Sequence, residues 1–273
     1  MTSPKYLFFD LETIPREGID QFLPDLPEER PECEITTAST AVDGTVREVE
    51  DRLKAANYTE ECLGWITHTE SLGKRRKGVF DAIESCLKAK RARSEAIVAN
   101  NKLASTTPEL CQIVEIGMAV DDGKPVSMTA HYDQPGGEII LLNAFWKMAD
   151  MVLSNKGKLV GYNCLAFDIP VIFARTAMLE INTPVLLIDT KPYGRDVLDL
   201  YKLRFPTGKP RDRPGKLSDL YQIYCDGEVS GVDGSQVLGL WEEKKYVELS
   251  KYVEEDVEQT RALMHHFRGL WFA

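Results

Sequence analysis

The sequence predicts an α/β domain in which helices flank a central mixed sheet, with a largely helical insertion between the first two strands. Three observations predict this fold class: an apolar strand near the N-terminus, a strand–hairpin–strand pattern after Pro108, and alternating strands and helices beyond it. We expect the α/β domain to comprise residues 1–13 and 108–273, and the insertion to comprise residues 14–107.

The N-terminal part begins with one strand and then changes in character. Residues 5–12 form an aromatic-rich apolar run that is typical of a buried strand ended by Pro15. Residues 15–45 are rich in Pro, Glu and Thr and indicate a surface loop. Helical spacing of apolar residues follows at 46–57 and at 73–100.

The remaining elements follow from periodicity and from turn residues. Asp121, Asp122 and Gly123 indicate a tight hairpin between two strands. The predicted elements are strands at 111–120, 126–132 and 159–163, a short element at 196–200, and helices at 137–154, 168–180, 216–225 and 235–268.

Composition excludes several classes of protein. The chain of 273 residues has 33 Lys and Arg against 43 Asp and Glu, a net charge of −10, which opposes tight sequence-independent binding of nucleic acid. It leaves room for a local basic groove or a carboxylate metal site. No apolar run reaches membrane-spanning length, and no signal-peptide pattern opens the chain. Six cysteines without Cys-x-x-Cys spacing predict reduced thiols and a cytoplasmic location.

Asp10 and Glu12 lie two residues apart on the first predicted strand. Period two places both carboxylates on one face, while Phe9 and Leu11 point into the core. Two neighbouring acids at the end of an apolar strand repel each other, and a bound divalent cation is a common reason for tolerating them. Taken alone, the pattern also fits a solvated strand end.

Two further segments supply acids in suggestive positions. Asp168 ends a strand and opens a helix, where it is either a helix N-cap or a third carboxylate at the carboxyl edge of a sheet. Tyr252 and Asp256 are one turn apart on the last predicted helix, so they share a face; alone, they also fit the boundary of its apolar stripe.

Together these four acids indicate a metal site. Oxygen ligands without His or Cys suit Mg²⁺ or Mn²⁺ rather than zinc. Four carboxylates can hold two such ions, the arrangement that catalyses phosphodiester hydrolysis. A tyrosine hydroxyl is a poor general base, but it can orient an attacking water molecule.

The three segments resemble the exonuclease motifs of the DnaQ-like (DEDD) superfamily, which has the ribonuclease H-like fold. The resemblance rests on Phe9–Thr13 (Phe-Asp-Leu-Glu-Thr), on the Asn-x-x-x-Phe-Asp segment at 163–168, and on the Tyr-x-x-x-Asp segment at 252–256. Tyrosine four residues before the last aspartate is typical of the DEDDy branch. The DEDDh branch has histidine five residues before it, where this chain has Lys251.

Within the DEDDy branch, the chain is most similar to predicted exonucleases related to the proofreading domain of family B DNA polymerases. This similarity rests on Gly234–Val237 and on the opening Phe9–Pro15. Residues 113–117 (Ile-Val-Glu-Ile-Gly) resemble the second strand of the superfamily. The long segment 14–107 departs from the short turn that often joins the first two strands.

The resemblance implies a 3′–5′ exonuclease, a hydrolase that releases nucleoside 5′-monophosphates from the 3′ end of single-stranded DNA. It implies that four acids bind two Mg²⁺ or Mn²⁺ ions: Asp10, Glu12, Asp168 and Asp256. It also implies that Tyr252 positions the water and that three residues contact the terminal nucleotide, namely Thr13, Asn163 and Phe167.

Two alternatives remain open: an RNA 3′-trimming exonuclease similar to ribonuclease D, and a nucleic-acid-binding module that has lost catalysis. Because no second helical domain is recognisable after residue 268, we expect DNA rather than RNA. The intact set of four acids and a tyrosine argues against lost catalysis.

Two basic segments are candidates for contacting the strand. Residues 202–216 hold six Lys or Arg against one Asp, and we expect them to form a loop. In this loop Lys209, Arg211 and Arg213 would attract phosphates, and Phe205 would stack on a base. An ordinary solvated loop is the alternative. Residues 73–93 hold eight Lys or Arg, which predicts a nucleic-acid surface, an ordinary solvated helix face, or a docking site for a replication or repair protein.

Overall fold

The computed structural model describes residues 5–27, 89, 91–130, 136–183, 194–207 and 214–271. The chain divides into two units, one formed by Met1–Phe22 with Lys102–Ala273 and the other by Leu23–Asn101. The helix predicted at 46–57, residues 73–88 of the helix predicted at 73–100, and the basic residues 208–213 lie outside the described residues. The predicted domain boundaries stay a prediction.

In the unit formed by Leu23–Asn101, the structure describes an irregular segment at 23–27, residue 89 and helical residues 91–101. We call the helix at 91–106 α1; its last residues, 102–106, belong to the other unit. Side chains of α1 hold the segment by its backbone carbonyls. Arg93 donates a hydrogen bond to the carbonyl of Pro27 over 2.6 Å, and Asn100 donates one to the carbonyl of Pro24 over 2.9 Å.

The other unit is built around a five-stranded mixed sheet. Its strands, in chain order, are β1 (Tyr6–Pro15), β2 (Cys111–Val120), β3 (Val126–Thr129), β4 (Lys158–Gly161) and β5 (Val197–Asp199). The spatial order is β3-β2-β1-β4-β5. The pairs β1–β2 and β2–β3 are antiparallel, and the pairs β1–β4 and β4–β5 are parallel. The carboxyl ends of β1, β4 and β5 therefore meet at one edge.

Helices cover both faces of this sheet. They are α2 (Gly137–Ser154), α3 (Asp168–Met178), α4 (Leu200–Arg204), α5 (Leu217–Cys225), α6 (Val237–Glu242) and α7 (Tyr246–Trp271). Among the described residues, no helix is both long and apolar enough to cross a membrane.

Strand β1 is buried on both sides, and its alternating side chains enter two cores. Leu7, Phe9 and Leu11 pack with residues of α2 and α3. Phe8 packs on the opposite face with Val257 of α7. This arrangement confirms the predicted α/β class, the mixed sheet and the flanking helices, which is the ribonuclease H-like architecture that the resemblance implies.

Several predicted elements differ from the structure in their bounds, and three of the differences are the largest near the site. Strand β1 continues to Pro15, because the segment beyond Glu12 pairs with β2 after a register shift. The segment predicted as one loop at 202–216 begins within α4, which ends at Arg204. The helix predicted at 235–268 is interrupted between α6 and α7.

The interruption has a backbone cause. Lys244 adopts a φ of 58°, and the N–H of Lys245 bonds to the carbonyl of Leu240 over 2.8 Å. A left-handed residue followed by this long hydrogen bond ends α6 in the manner of a Schellman motif. Glycine usually occupies such a position, and its absence here explains why the sequence pattern did not reveal the break.

Candidate functional site

Asp10 and Glu12 lie on the face of β1 that α7 covers. Between them, Leu11 is 2% exposed and packs in the opposite core, as strand alternation predicts. Asp10 pairs in register with Gly117 of β2, and Glu12 pairs with Glu115. Both residues are half-buried. The sequence thus places two acids side by side at the functional edge of the sheet.

Asp168 lies at the same edge of the sheet but is supplied by a helix rather than by a strand. It is the first residue of α3, directly after the loop 162–167 that leaves the carboxyl end of β4. The N-cap position belongs to Phe167, so the N-cap interpretation of Asp168 is wrong. The residue is 4% exposed, and the backbone N–H groups of Asp168 and Leu11 lie near enough to its carboxylate to favour the ionised form.

Tyr252 and Asp256 project from one face of α7 toward these acids. Their neighbours Val253 and Val257 are fully buried and dock the helix on the sheet. The Tyr252 hydroxyl lies close enough to the carboxylates of Glu12 and Asp256 to lower the pKa of each. The shared face predicted from the i, i+4 spacing is therefore present in the structure.

These side chains line one cavity of about 240 Å³. It is open to solvent, and every acid of the predicted site contributes to its wall. The lining residues are Asp10, Leu11, Glu12, Tyr162, Asn163, Phe167, Asp168, Leu217, Tyr252 and Asp256.

The four acids of the cavity have raised pKa values, so their carboxyl groups ionise less readily than usual. Burial, followed by repulsion from Asp168, Asp256 and Glu12, raises the pKa of Asp10 well above its ordinary value. Burial, followed by repulsion from Asp256 and Asp168, likewise raises the pKa of Glu12. Burial raises the pKa of Asp168 to about 7 and that of Asp256 to about 6. Several acids that repel one another are suited to a site that receives positive charge.

The geometry fits a divalent cation. Asp10, Glu12 and Asp256 each offer a carboxylate oxygen, and these oxygens lie within 4.8 Å of one another. Asp168 faces the same cavity as a fourth acid. All of these ligand atoms are hard oxygens, which suit Mg²⁺ or Mn²⁺.

The predicted substrate-binding residues are distributed unevenly. Asn163 and Phe167 line the cavity. The hydroxyl of Thr13, which is 7% exposed, donates a hydrogen bond to the carbonyl of Ser105 over 2.6 Å. Phe205 is buried against Tyr201, so its predicted role as a stacking surface is wrong. Lys209, Arg211 and Arg213 lie outside the described residues.

Four residues near the site were missed by sequence reasoning. Tyr162 and Leu217 line the cavity, and Tyr162 donates a hydrogen bond to the carbonyl of Gly215 over 2.7 Å. Asp199 and Glu115 are acids without solvent exposure. Of these, Glu115 could have been noticed in the sequence, because it is a charged residue inside the apolar run of β2.

Comparison with known proteins identifies a matching family. A family model described as a predicted 3′–5′ exonuclease related to the exonuclease domain of PolB matches residues 106–270. That match includes Asp168, Tyr252 and Asp256, whereas Asp10 and Glu12 precede it. No curated protein matches the chain.

A similar solved structure is the family B DNA polymerase from the hyperthermophilic archaeon Pyrobaculum calidifontis. The sequence identity is 20% and the TM-score is 0.48, and the match covers 60% of this chain and 22% of the polymerase. Because the family model covers more than half of the sequence, the chain belongs to the family of predicted 3′–5′ exonucleases related to the exonuclease domain of PolB.

Proposed function

We propose that this protein is a metal-dependent 3′–5′ exonuclease that releases nucleoside 5′-monophosphates from the 3′ end of single-stranded DNA. The observation that carries the proposal is the grouping of Asp10, Glu12 and Asp256 within 4.8 Å, with Asp168 in the same cavity. Family membership supports it independently, because that family is described as predicted exonucleases.

The four carboxylates would hold two Mg²⁺ or Mn²⁺ ions. Two bound ions supply Lewis-acid activation of a water molecule and neutralise charge on the leaving oxygen. The chain contributes the fixed positions of the acids: Asp10 and Glu12 on β1, Asp168 at the start of α3, and Asp256 on α7. Acids presented by three separate elements are held by the fold rather than by one flexible loop.

Tyr252 would orient the attacking water by hydrogen bonding. Burial and the neighbouring acids Glu12 and Asp256 raise the pKa of its hydroxyl above the ordinary value. The hydroxyl therefore stays protonated at neutral pH, which makes it a hydrogen-bond donor and acceptor but not a proton acceptor in catalysis.

The substrate would enter along the wall formed by Asn163 and Phe167. Both line the cavity beside the acids, so they can contact the terminal nucleotide. Thr13, and the basic residues Lys209, Arg211 and Arg213, remain proposals from the sequence. We also retain, as proposals, a cytoplasmic location and a replication or repair protein that docks on the insertion.

Digestion of matched 5′-labelled DNA and RNA strands tests the function. We expect wild-type protein with Mg²⁺ or Mn²⁺ to shorten single-stranded DNA stepwise from its 3′ end, and a chelator to stop the reaction. Asp10→Asn should be inactive. Asp122→Asn removes an exposed carboxylate from the β2–β3 turn and should retain activity.

Other outcomes separate the alternatives. Digestion of RNA alone would favour the ribonuclease D-like activity. Strand binding without digestion under every metal condition would favour the idle binding module.

A further inference from the structure

Asp199 is a buried acid at the carboxyl end of β5. It is fully buried and pairs in register with Gly161 at the end of β4. The three exonuclease motifs do not include it, and it is absent from the cavity wall formed by the described residues. Its carboxylate instead points at the backbone of the loop that precedes Asp168.

Three backbone N–H groups donate hydrogen bonds to this carboxylate. The N–H of Asn163 reaches Oδ1 over 3.0 Å, and the N–H of Leu165 reaches Oδ2 over 3.0 Å. The N–H of Lys202 reaches Oδ1 over 3.2 Å, which caps the first turn of α4. One side chain therefore joins the loop 162–167 to the start of α4.

A carboxylate suits this position better than an amide. Both of its oxygens only accept hydrogen bonds, and the ionised form makes shorter and stronger bonds than a neutral group. An asparagine of the same shape would present an amino group to one of the N–H donors. One of these hydrogen bonds would then be lost and two donors would face each other.

The loop that Asp199 holds is tightly folded. Asn163 adopts a φ of 58°, and a Cβ placed on Gly161 would lie 2.6 Å from the Cβ of Cys164. The N–H of Ala166 bonds to the carbonyl of Asn163 over 3.0 Å, and the N–H of Ile169 bonds to the carbonyl of Cys164 over 2.9 Å. The anchored loop thus continues without a break into α3, which begins with Asp168.

We propose that Asp199 is a positioning residue, which fixes the backbone of the loop 162–167 so that Asp168 meets Asp10 and Asn163 and Phe167 face the substrate. The inference rests on the proposed function, in which Asp168 is a metal ligand. It adds a residue that touches neither the metal nor the strand and that acts through three backbone hydrogen bonds.

Asp199→Asn tests this role, and Asp196→Asn is the matched control. Asp196 is a buried acid just before the other end of β5, where its carboxylate pairs with Arg195. Four quantities are compared well below the melting temperature of each variant: kcat on a single-stranded DNA, KM on the same strand, Mn²⁺ affinity by calorimetry, and the circular dichroism signal.

For Asp199→Asn we expect unchanged circular dichroism, kcat lowered about tenfold or more, and Mn²⁺ affinity lowered several-fold, because displaced supporting groups commonly cost about 10- to 100-fold. Asp196→Asn should stay within about twofold of wild type. Wild-type kcat and Mn²⁺ affinity in Asp199→Asn would overturn the inference, even if its melting temperature fell.

Two measurements keep this inference separate from the proposed function. If the wild type digests no nucleic acid, the proposed function fails, whereas the Mn²⁺ affinities of the two variants still decide the role of Asp199. If Asp199→Asn does not fold, amide hydrogen exchange of the wild type decides. Strong protection of the Asn163 and Leu165 amides supports the inference, and rapid exchange of both overturns it.

Discussion

Glu12 and Glu115 face each other on the neighbouring strands β1 and β2, at the point where the register between the strands shifts. Glu115 is fully buried and accepts a hydrogen bond from Ser250 of α7 over 2.8 Å. After burial and the cavity aspartates, Glu115 is a further cause of the raised pKa of Glu12. Glu115 therefore adds negative charge to the site, and it also holds α7 to the sheet at Ser250, two residues before Tyr252.

Gly117 permits the close contact between β2 and α7. A Cβ at this position would lie 2.6 Å from Val253 Cγ1, 2.9 Å from Val257 Cγ2 and 3.2 Å from the carbonyl of Val253. We predict that Gly117→Ala lowers the free energy of unfolding by about 1–3 kcal/mol, measured by urea denaturation, because overpacking forces the helix outward. Activity should fall as well, since Tyr252 and Asp256 move with the helix.

Gly239→Ala is the control for this substitution. Gly239 lies in α6, and a Cβ there would meet no described atom within 4 Å. We expect wild-type activity and equal or slightly higher stability, because alanine is a better helix former than glycine. Equal effects of the two substitutions would show that contact with α7 is not the reason for Gly117.

Asp10→Asn and Asp256→Asn should abolish nuclease activity while the protein stays folded. Each substitution removes a ligand oxygen from the group that lies within 4.8 Å. Activity on labelled DNA and circular dichroism measure the two effects. Digestion at the wild-type rate by either variant would refute the proposed metal centre.

Tyr252→Phe should be impaired less than the carboxylate variants. It removes the hydroxyl that lies beside Glu12 and Asp256 but leaves all four acids. We expect the loss in kcat rather than in KM, because positioning of the water matters in the reaction and not in strand binding. Complete inactivity at saturating metal, equal to that of Asp256→Asn, would argue against an orienting role.

Metal-free protein should lose stability as pH rises through the site's pKa values. Folding raises the pKa of Asp168 to about 7 and that of Asp256 to about 6. A carboxyl whose pKa is raised in the folded state favours folding when protonated, and this contribution disappears as pH rises from about 4 to about 7. In chelator, Asp168→Asn should therefore be more stable than wild type at pH 8, on the order of 2 kcal/mol, with a smaller difference at pH 5.

Added Mg²⁺ should raise the stability of the wild-type protein at pH 8, because bound ions compensate the repulsion among its acids. The effect on Asp168→Asn should be smaller, because the variant has one charged acid fewer. Melting temperatures at both pH values measure this. A wild type and a variant with parallel pH dependence would contradict the raised pKa of Asp168.

Neutralising Lys209, Arg211 and Arg213 together should weaken binding of single-stranded DNA and reduce its salt dependence. The expectation comes from six Lys or Arg against one Asp at 202–216 in an otherwise acidic chain. Binding titrations at several salt concentrations measure the slope. An unchanged slope would leave the segment as an ordinary solvated loop.

The sequence revealed the fold class because strand and helix patterns are local, and the resemblance to the exonuclease motifs singled out the four acids that we propose as metal ligands. Strand alternation put Asp10 and Glu12 on one face, and helix spacing did the same for Tyr252 and Asp256. The helix predicted at 137–154 has the same bounds in the structure.

What the sequence could not reveal depends on partners distant in the chain. The role that we propose for Asp199 depends on N–H donors 34 and 36 residues away, and the contact of Glu115 depends on Ser250, which lies 135 residues away. The turn at Lys244 was missed because a residue other than glycine adopts the left-handed conformation there.

The central position of β1 has a consequence for folding kinetics. Its antiparallel partner β2 follows only after residues 16–110, and its parallel partner β4 comes later still. Closing a loop of that length, compared with a four-residue turn, adds roughly 3 kcal/mol of chain entropy. During synthesis, at about 5–20 residues per second, several seconds pass between the synthesis of β1 and that of β2. The strand that carries Asp10 and Glu12 is therefore made first, while the four acids meet only when the helix with Asp256 has left the ribosome.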